Sequence, residues 1–179
     1  MTERDTLVML LEAFGRPVPD GATTFREVME TEMASLRLPL DEAVAWLLEH
    51  ARVRPGFREL ADSYRPLIVS SSFEETIRPI LEREGVDLEL VANRVDARPD
   101  GWRVRWRDEA PCPECGDLCK RRALPDPPFA YVGDGWSDRC AALVADRIFA
   151  RDGLARYLEQ RGVPYERFHD LRDVALALT

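Results

Sequence analysis

The chain has 179 residues, of which 45% are hydrophobic and 32% are charged, and its 25 basic and 33 acidic residues give a net charge of −8. This length suits one compact domain, and the apolar fraction excludes an intrinsically disordered chain. No apolar run approaches the ~20 residues of a membrane-spanning helix, and the charged N-terminus lacks a signal-peptide core. The acidic balance argues against a nucleic-acid partner, because phosphate backbones bind to basic surfaces. We therefore expect a soluble, cytoplasmic protein that binds neither a membrane nor a nucleic acid.

The first third of the chain has the apolar spacing of helices. The pattern predicts a helix over residues 5–14, and Thr24 with Glu27 has the form of a capping box that opens a second helix. Asp41 is placed to cap a third helix, and a short fourth helix follows Gly56.

Beyond residue 65, short apolar runs alternate with helical patterns. This alternation favours a parallel sheet covered by helices on both faces, and such sheets bind ligands at the carboxyl ends of their strands. The predicted strands are residues 66–69, 88–91, 129–132 and 147–150, a β-hairpin is predicted over 93–106, and helices are predicted at 73–84, 153–161 and 169–178.

Three serines, Ser70, Ser71 and Ser72, follow the first of these strands. Hydroxyl and backbone N–H groups beside the start of a helix form a natural cradle for phosphate or another oxyanion. The alternative is a serine-rich turn that only caps the next helix.

Two aspartates, Asp134 and Asp138, surround the turn after the strand at 129–132, where Gly133 and Gly135 leave room for close backbone approach. Carboxylates at such a turn are hard ligands suited to Mg²⁺. The alternative for Asp138 is the N-cap of the following helix.

Lys120 is the only lysine among the 25 basic residues. A compact ammonium on a flexible stem differs from a planar guanidinium when it must sit between oxyanions in a tight site. The single lysine is therefore a candidate for such a site, and an exposed lysine without a role is the alternative.

Three cysteines, Cys112, Cys115 and Cys119, have a spacing that allows them to share one zinc ion. A structural zinc site needs four ligands, and the fourth would be Cys140 or one of the two histidines. Reduced thiols in a loop and a redox role are the alternatives.

The order of Ser70, Lys120, Asp134 and Asp138 resembles that of the second, third and fourth motifs in the haloacid dehalogenase (HAD) superfamily of phosphatases. The chain is similar to the phosphoserine phosphatase-like branch at Phe73, 77–79 and 92–94. It more closely resembles the methionine-salvage phosphatases acting on 2-hydroxy-3-keto-5-methylthiopentenyl-1-phosphate, on the evidence of residues 55–58, Cys115-Gly116, Cys119-Lys120, 149–152 and 165–172.

The resemblance implies an α/β fold, with a three-layer HAD-like parallel sheet core at residues 54–179 and a small all-helical cap at residues 1–53. It also implies Mg²⁺-dependent hydrolysis of a small phosphorylated metabolite through an aspartyl-phosphate, in a monomer or a homodimer.

The implied roles follow the motifs. Ser70 would hydrogen-bond the phosphoryl oxygens, Lys120 would neutralise charge there, and Asp134 would ligate Mg²⁺ together with Asp138. Asp5, Ser71 and Ser72 are the remaining candidates for substrate binding.

The resemblance also implies a gap. In this family the first motif, Asp-x-Asp-x-Thr, carries the nucleophile at the end of the central strand and precedes a segment like residues 1–6. We expect that motif and the first, central strand to be missing from the chain as given, which would leave this form inactive. A misassigned start codon and a truncated relative are the two explanations, and a non-catalytic HAD-like binding protein, zinc-stabilised through its cysteines, is the rival function.

Overall fold

The computed structural model describes residues 1–17 and 24–179 and divides the chain into two compact units. The first unit comprises residues 1–54 and 65–109, and the second comprises 55–64 and 110–179. Within the described ranges, none of the helices has the length and apolar character required to cross a membrane. The helices are α1 (Thr6–Phe14), α2 (Phe25–Ser35), α3 (Leu40–His50), α4 (Phe57–Tyr64), α5 (Glu74–Arg83), α6 (Arg139–Ala142), α7 (Asp152–Arg161) and α8 (Leu171–Ala177); the strands are β1 (Ile68–Phe73), β2 (Leu90–Asp96), β3 (Arg103–Arg105), β4 (Ala130–Gly133), β5 (Arg147–Ala150) and β6 (Glu166–Arg167).

The helices of the first unit begin where local capping chemistry allows them to. The predicted capping box of α2 is confirmed, because Glu27 N–H donates to Thr24 Oγ1 and Thr24 N–H donates to the Glu27 carboxylate. The predicted cap of α3 is wrong: the helix begins one residue earlier, after Pro39, and no side chain caps it. Asp41 instead lies in the first turn, where its charge favours the helix dipole.

The sheet of the first unit has the order β1–β2–β3, with β1 parallel and β3 antiparallel to β2. The predicted hairpin is confirmed by the pairing of Val95 with Val104. The serines do not follow the strand as predicted, because β1 continues through them to Phe73. They occupy a break in the register, which passes from Val69 opposite Val91 to Phe73 opposite Asn93.

The core of the first unit joins these helices to the sheet around a fully buried indole. Trp102 Nε1 donates to the Leu38 carbonyl at 2.8 Å, so the buried donor is satisfied. The prediction that tryptophans belong to the core is confirmed here, but it is wrong for Trp136 of the second unit, which is 67% exposed. Buried members of this core are Leu7, Met9, Leu10, Met29, Met33, Leu36, Ala43, Leu47, Ala51, Phe73, Ile80, Val95 and Trp102.

The second unit contains a separate parallel sheet with the order β4–β5–β6. Val132 of β4 lies opposite Phe149 of β5, which in turn pairs with Glu166 of β6. The two-residue β6 was not predicted, since two polar residues carry no strand pattern. Together with the parallel pairing of β1 and β2, this sheet confirms the α/β class; the predicted boundary between a cap at 1–53 and a core at 54–179 stays a prediction.

Residues 55–64 belong to the second unit because α4 packs on α8. Leu171 N–H donates to the Pro55 carbonyl at 3.0 Å, and the Tyr64 hydroxyl donates to the Ala175 carbonyl at 3.2 Å. Gly56 makes this approach possible: its φ is +82°, and a Cβ there would lie 2.2 Å from the backbone nitrogen of Arg172.

Candidate functional site

Two predicted site residues of the second unit form a buried ion pair. Lys120 Nζ lies 2.6 Å from Asp138 Oδ1, and the two side chains are 14% and 4% exposed. The hydroxyl of Tyr131, on β4, donates to the same carboxylate oxygen at 2.8 Å. The lysine therefore has a fixed partner and is not an isolated surface charge.

The other oxygen of Asp138 binds the turn that follows β4. Asp138 Oδ2 accepts hydrogen bonds from the backbone N–H groups of Asp134, at 3.0 Å, and Gly135, at 2.9 Å. Gly133 permits this contact, since a Cβ at that position would lie 2.8 Å from Asp138 Cγ. The carboxylate thus fixes both Lys120 and the turn that presents Asp134.

These contacts keep Asp138 ionised. Burial by itself raises the pKa of this carboxyl, but the Lys120 ammonium and the hydrogen bonds from Gly135 and Tyr131 outweigh burial and hold the pKa below its usual value. The alternative of a cap for α6 is not what the side chain does, because it makes no capping bond to that helix.

The donor set at this turn suits a magnesium ion. Asp134 lies partly exposed at the carboxyl end of β4, and a carboxylate oxygen is a hard ligand of the kind that Mg²⁺ prefers. Asp138 accepts four hydrogen bonds, which is the number its two oxygens can accommodate. This arrangement favours Asp134 as the ligand and Asp138 in a supporting role, and direct ligation by Asp138 stays a prediction.

The three serines lie in the first unit and differ in their surroundings. Ser70 Oγ accepts the N–H of Ser72, and the hydroxyl of Ser72 is hydrogen-bonded to that of Thr6 at 3.0 Å, where both are buried. Ser71 Oγ is buried and, within the described ranges, has no hydrogen-bond partner. Ser72 is therefore engaged by the protein itself, whereas Ser71 has an unused hydroxyl.

Asn93 organises this part of β1, although sequence reasoning gave it no role. Its side chain is buried, Nδ2 donates to the Ser71 carbonyl at 2.8 Å, and Oδ1 accepts the N–H of Arg107. The Arg107 guanidinium in turn donates to the Ser70 carbonyl at 2.8 Å. A buried amide inside a predicted hairpin was the signal that could have revealed this residue.

Asp5, the predicted substrate contact, is the N-cap of α1. Its Oδ1 accepts from the N–H groups of Leu7, at 2.8 Å, and Val8, at 3.2 Å. Burial and the nearby charge of Asp5 raise the pKa of Glu32 on α2. Asp5 therefore has a structural role, and its contact with substrate stays a prediction.

The cysteine cluster of the second unit contains four members. The Sγ atoms of Cys112, Cys115, Cys119 and Cys140 all lie within 4.8 Å of one another, so the distant Cys140 joins the three predicted from their spacing. Burial alone raises the pKa of Cys112, but hydrogen bonds from the backbones of Cys115 and Glu114 outweigh burial and lower this pKa to about 7. Burial raises the pKa of Cys119 well above its usual value.

Comparisons with known proteins identify relatives along most of the chain. Pdp3-interacting factor 1 of Schizosaccharomyces pombe is 29% identical over 175 residues, covering 88% of this chain and 76% of that protein. Polyol phosphate phosphatase PYP1 of Saccharomyces cerevisiae is 26% identical over 90% of this chain and 77% of its own length. The 2-hydroxy-3-keto-5-methylthiopentenyl-1-phosphate phosphatase of Exiguobacterium sibiricum is 27% identical over 97% of this chain and 90% of its own length.

A solved structure shares the fold. The phosphoserine phosphatase from T. onnurineus, crystallised in complex with NDSB-201, matches with a TM-score of 0.56 and 22% identity, over 82% of this chain and 69% of that one. A family model described as haloacid dehalogenase-like hydrolase matches residues 2–143. This match spans most of the 179 residues, and the chain belongs to the haloacid dehalogenase-like hydrolases.

Proposed function

We propose that the protein is a Mg²⁺-dependent phosphomonoesterase that hydrolyses a small phosphorylated metabolite in the cytoplasm. Family membership and the relatives named as phosphatases support the reaction class. The buried ion pair between Lys120 and Asp138 is the observation that carries the proposal. It holds a cation beside the turn of Asp134, as the handling of a phosphoryl group requires.

Each residue has a distinct role in this proposal. Lys120 neutralises negative charge on the phosphoryl oxygens, and Asp138 orients Lys120. Asp134 would hold Mg²⁺, which supplies further neutralisation of phosphate charge when bound. Ser70 hydrogen-bonds a phosphoryl oxygen.

The covalent step needs an aspartate nucleophile. Its carboxylate oxygen would bond to phosphorus while the ester P–O bond breaks and the alcohol leaves with a proton; water then cleaves the aspartyl-phosphate to release inorganic phosphate. The printed sequence contains no Asp-x-Asp-x-Thr segment, and we propose that it is inactive in this form.

The test compares two forms of the protein. One is the printed chain, and the other is extended by the codons that precede Met1 in frame, if these encode Asp-x-Asp-x-Thr after an apolar run. Phosphate release is measured with and without Mg²⁺ on the methionine-salvage substrate 2-hydroxy-3-keto-5-methylthiopentenyl-1-phosphate and on polyol phosphates, the substrate types named for the relatives.

We expect Mg²⁺-dependent turnover by the extended form and none by the printed chain. Within the extended form, Lys120→Arg should reduce turnover strongly, whereas Arg122→Met, a neighbouring substitution, should not. Full turnover by Lys120→Arg would contradict the role of Lys120, and turnover that does not need Mg²⁺ would contradict the metal requirement.

A second candidate function is a non-catalytic binding protein, favoured by the missing first motif in the printed sequence. It predicts saturable binding of a phosphorylated metabolite by the printed chain, with no release of phosphate. Calorimetry with the same substrates distinguishes the two, since an upstream stop codon together with binding would support this candidate.

A further inference from the structure

The four cysteines of the second unit have the separations of a metal site. Cys112 Sγ lies 3.8 Å from Cys140 Sγ, and all four sulfurs lie within 4.8 Å of one another. Four sulfurs placed tetrahedrally at about 2.3 Å from one zinc ion are separated by about 3.8 Å. A disulfide would need about 2.05 Å, and all four cysteines are free.

The backbone between the first two cysteines is shaped to present both sulfurs together. Gly116 N–H donates to the Cys112 carbonyl at 2.8 Å, and Cys112 N–H donates to the Asp117 carbonyl at 2.9 Å, which closes a tight turn. Gly116 has a φ of +72°, a conformation that favours glycine. Hydrogen bonds from the backbone of this turn, at Glu114 and Cys115, reach the sulfur of Cys112 and favour its thiolate.

A charged neighbour supports the fourth sulfur. The side chain of Arg121 hydrogen-bonds to Cys140, and it also lies 3.9 Å from the Glu114 carboxylate. Four thiolates around a divalent ion carry a net negative charge, so a guanidinium at the edge of the cluster offsets part of it.

We propose that Cys112, Cys115, Cys119 and Cys140 bind one Zn²⁺ as a closed tetrahedral site. Thiolates are soft ligands that select zinc over Mg²⁺, and four protein ligands leave no open position for water or substrate. The site is therefore structural and separate from the magnesium chemistry of Asp134.

The position of this site in the chain gives it a second consequence. Cys119 immediately precedes Lys120, and Cys140 lies two residues after Asp138. One ion therefore ties together the two segments that carry the buried ion pair. The catalytic meaning of this link rests on the phosphatase function proposed above, but binding of zinc does not.

The first experiment measures metal on the wild-type chain. The protein is expressed with added zinc, purified without chelators or metal-affinity resin, and analysed by inductively coupled plasma mass spectrometry. We expect one zinc per chain. Zinc at or below a tenth of an equivalent would overturn the proposal, whether mass spectrometry then finds four freely alkylated thiols or disulfides.

Cobalt decides intermediate occupancies. The metal-free, reduced chain is titrated with Co²⁺, and we expect an end point at one equivalent with the absorption of tetrahedral cobalt and sulfur-to-cobalt charge transfer. No end point, or a spectrum without sulfur ligation, would overturn the site. This measurement needs no variant and no phosphatase assay, so it stands even if catalysis fails.

Matched variants identify the ligands. Cys140→Ser should lower the affinity for zinc at least tenfold in competition with a chelator, whereas His50→Gln and His169→Gln should leave it unchanged. Loss of zinc in a histidine variant together with retention in Cys140→Ser would overturn the ligand set. If Cys140→Ser does not fold, the cobalt spectrum of the wild type remains the test.

The link to the ion pair has its own readout, because Lys120 is the only lysine. An amine-acetylating reagent followed by peptide mass spectrometry reports the reactivity of that residue alone. We expect acetylation of Lys120 to be at least tenfold faster after zinc is removed. Equal rates with and without zinc would overturn the link, and this outcome is independent of turnover.

Discussion

Lys120 and Asp138 lie 18 positions apart in the chain, yet the ammonium nitrogen of one is 2.6 Å from a carboxylate oxygen of the other. Both side chains are largely removed from water, and Tyr131 and two backbone N–H groups complete the hydrogen bonds of the carboxylate. A buried charge pair with such complete hydrogen bonding is costly to form, but it is more costly to break from one side.

Lys120→Met should therefore destabilise the protein by about 3–5 kcal/mol, because it leaves Asp138 buried and charged without its partner. Urea denaturation followed by circular dichroism measures the change. Arg122→Met, in the same 3₁₀ turn, is the control and should cost less than about 0.5 kcal/mol. Equal effects of the two substitutions would show that the ion pair contributes nothing specific.

Gly133→Ala should disturb the same carboxylate from the opposite side. The new Cβ would lie 2.8 Å from Asp138 Cγ, and relieving such an overlap typically costs about 1–3 kcal/mol. Gly153→Ala is the matched control, since its Cβ would make only an ordinary 3.5 Å contact with the Asp134 carbonyl. Thermal unfolding should separate the two variants, and a Gly133→Ala protein as stable as Gly153→Ala would contradict the close approach.

Asp5→Ala should destabilise α1 by about 1 kcal/mol, because it removes the acceptor for the first N–H groups of the helix. Asp5→Asn keeps a good capping side chain and should retain most of that stability. The pair separates structure from substrate contact: in the extended, active form, a change in KM with Asp5→Asn at unchanged stability would support a substrate contact. Unchanged KM would leave capping as the role of Asp5.

Glu32→Gln should stabilise the protein at neutral pH. Burial, and then the charge of Asp5, raise the pKa of Glu32 above its usual 4.5, so the folded state binds the proton more tightly than the unfolded state. Stability from this group therefore falls as pH rises through the window above 4.5. The gain from Glu32→Gln should be present above that window and should disappear below pH 4.5, as followed by urea midpoints across pH.

The control for this pH dependence is Glu42→Gln, at an exposed position in the first turn of α3. Its effect should stay small across the same pH range. A gain from Glu32→Gln that persists unchanged at acid pH would show that titration of this carboxyl is not its cause.

Local signals in the sequence predicted local structure well. The capping box of Thr24 and Glu27 depends on residues three positions apart, and the strand at 147–150 is a compact apolar run; both were confirmed. The end of β1 was misplaced, because its continuation through the serines depends on pairing with β2 and on Asn93, which lies 22 residues beyond Ser71.

The candidate site shows the same division. The order of the motif residues predicted which side chains to examine, but no local pattern revealed that Asp138 accepts hydrogen bonds from Lys120, Tyr131 and two backbone groups. The spacing of three cysteines indicated a metal site and left the fourth ligand open, since the choice of Cys140 is made by the packing of a distant helix.

The contact between α4 and α8 affects how the chain acquires its structure during synthesis. Residues 55–64 belong to the same unit as the last residues of the chain, and Pro55 accepts its hydrogen bond from Leu171. A ribosome releases α4 long before α8 exists, so the apolar face of α4 must wait for more than a hundred residues to be translated. Long-range closure of this kind slows folding, and it makes the C-terminal helix the step that completes the second unit.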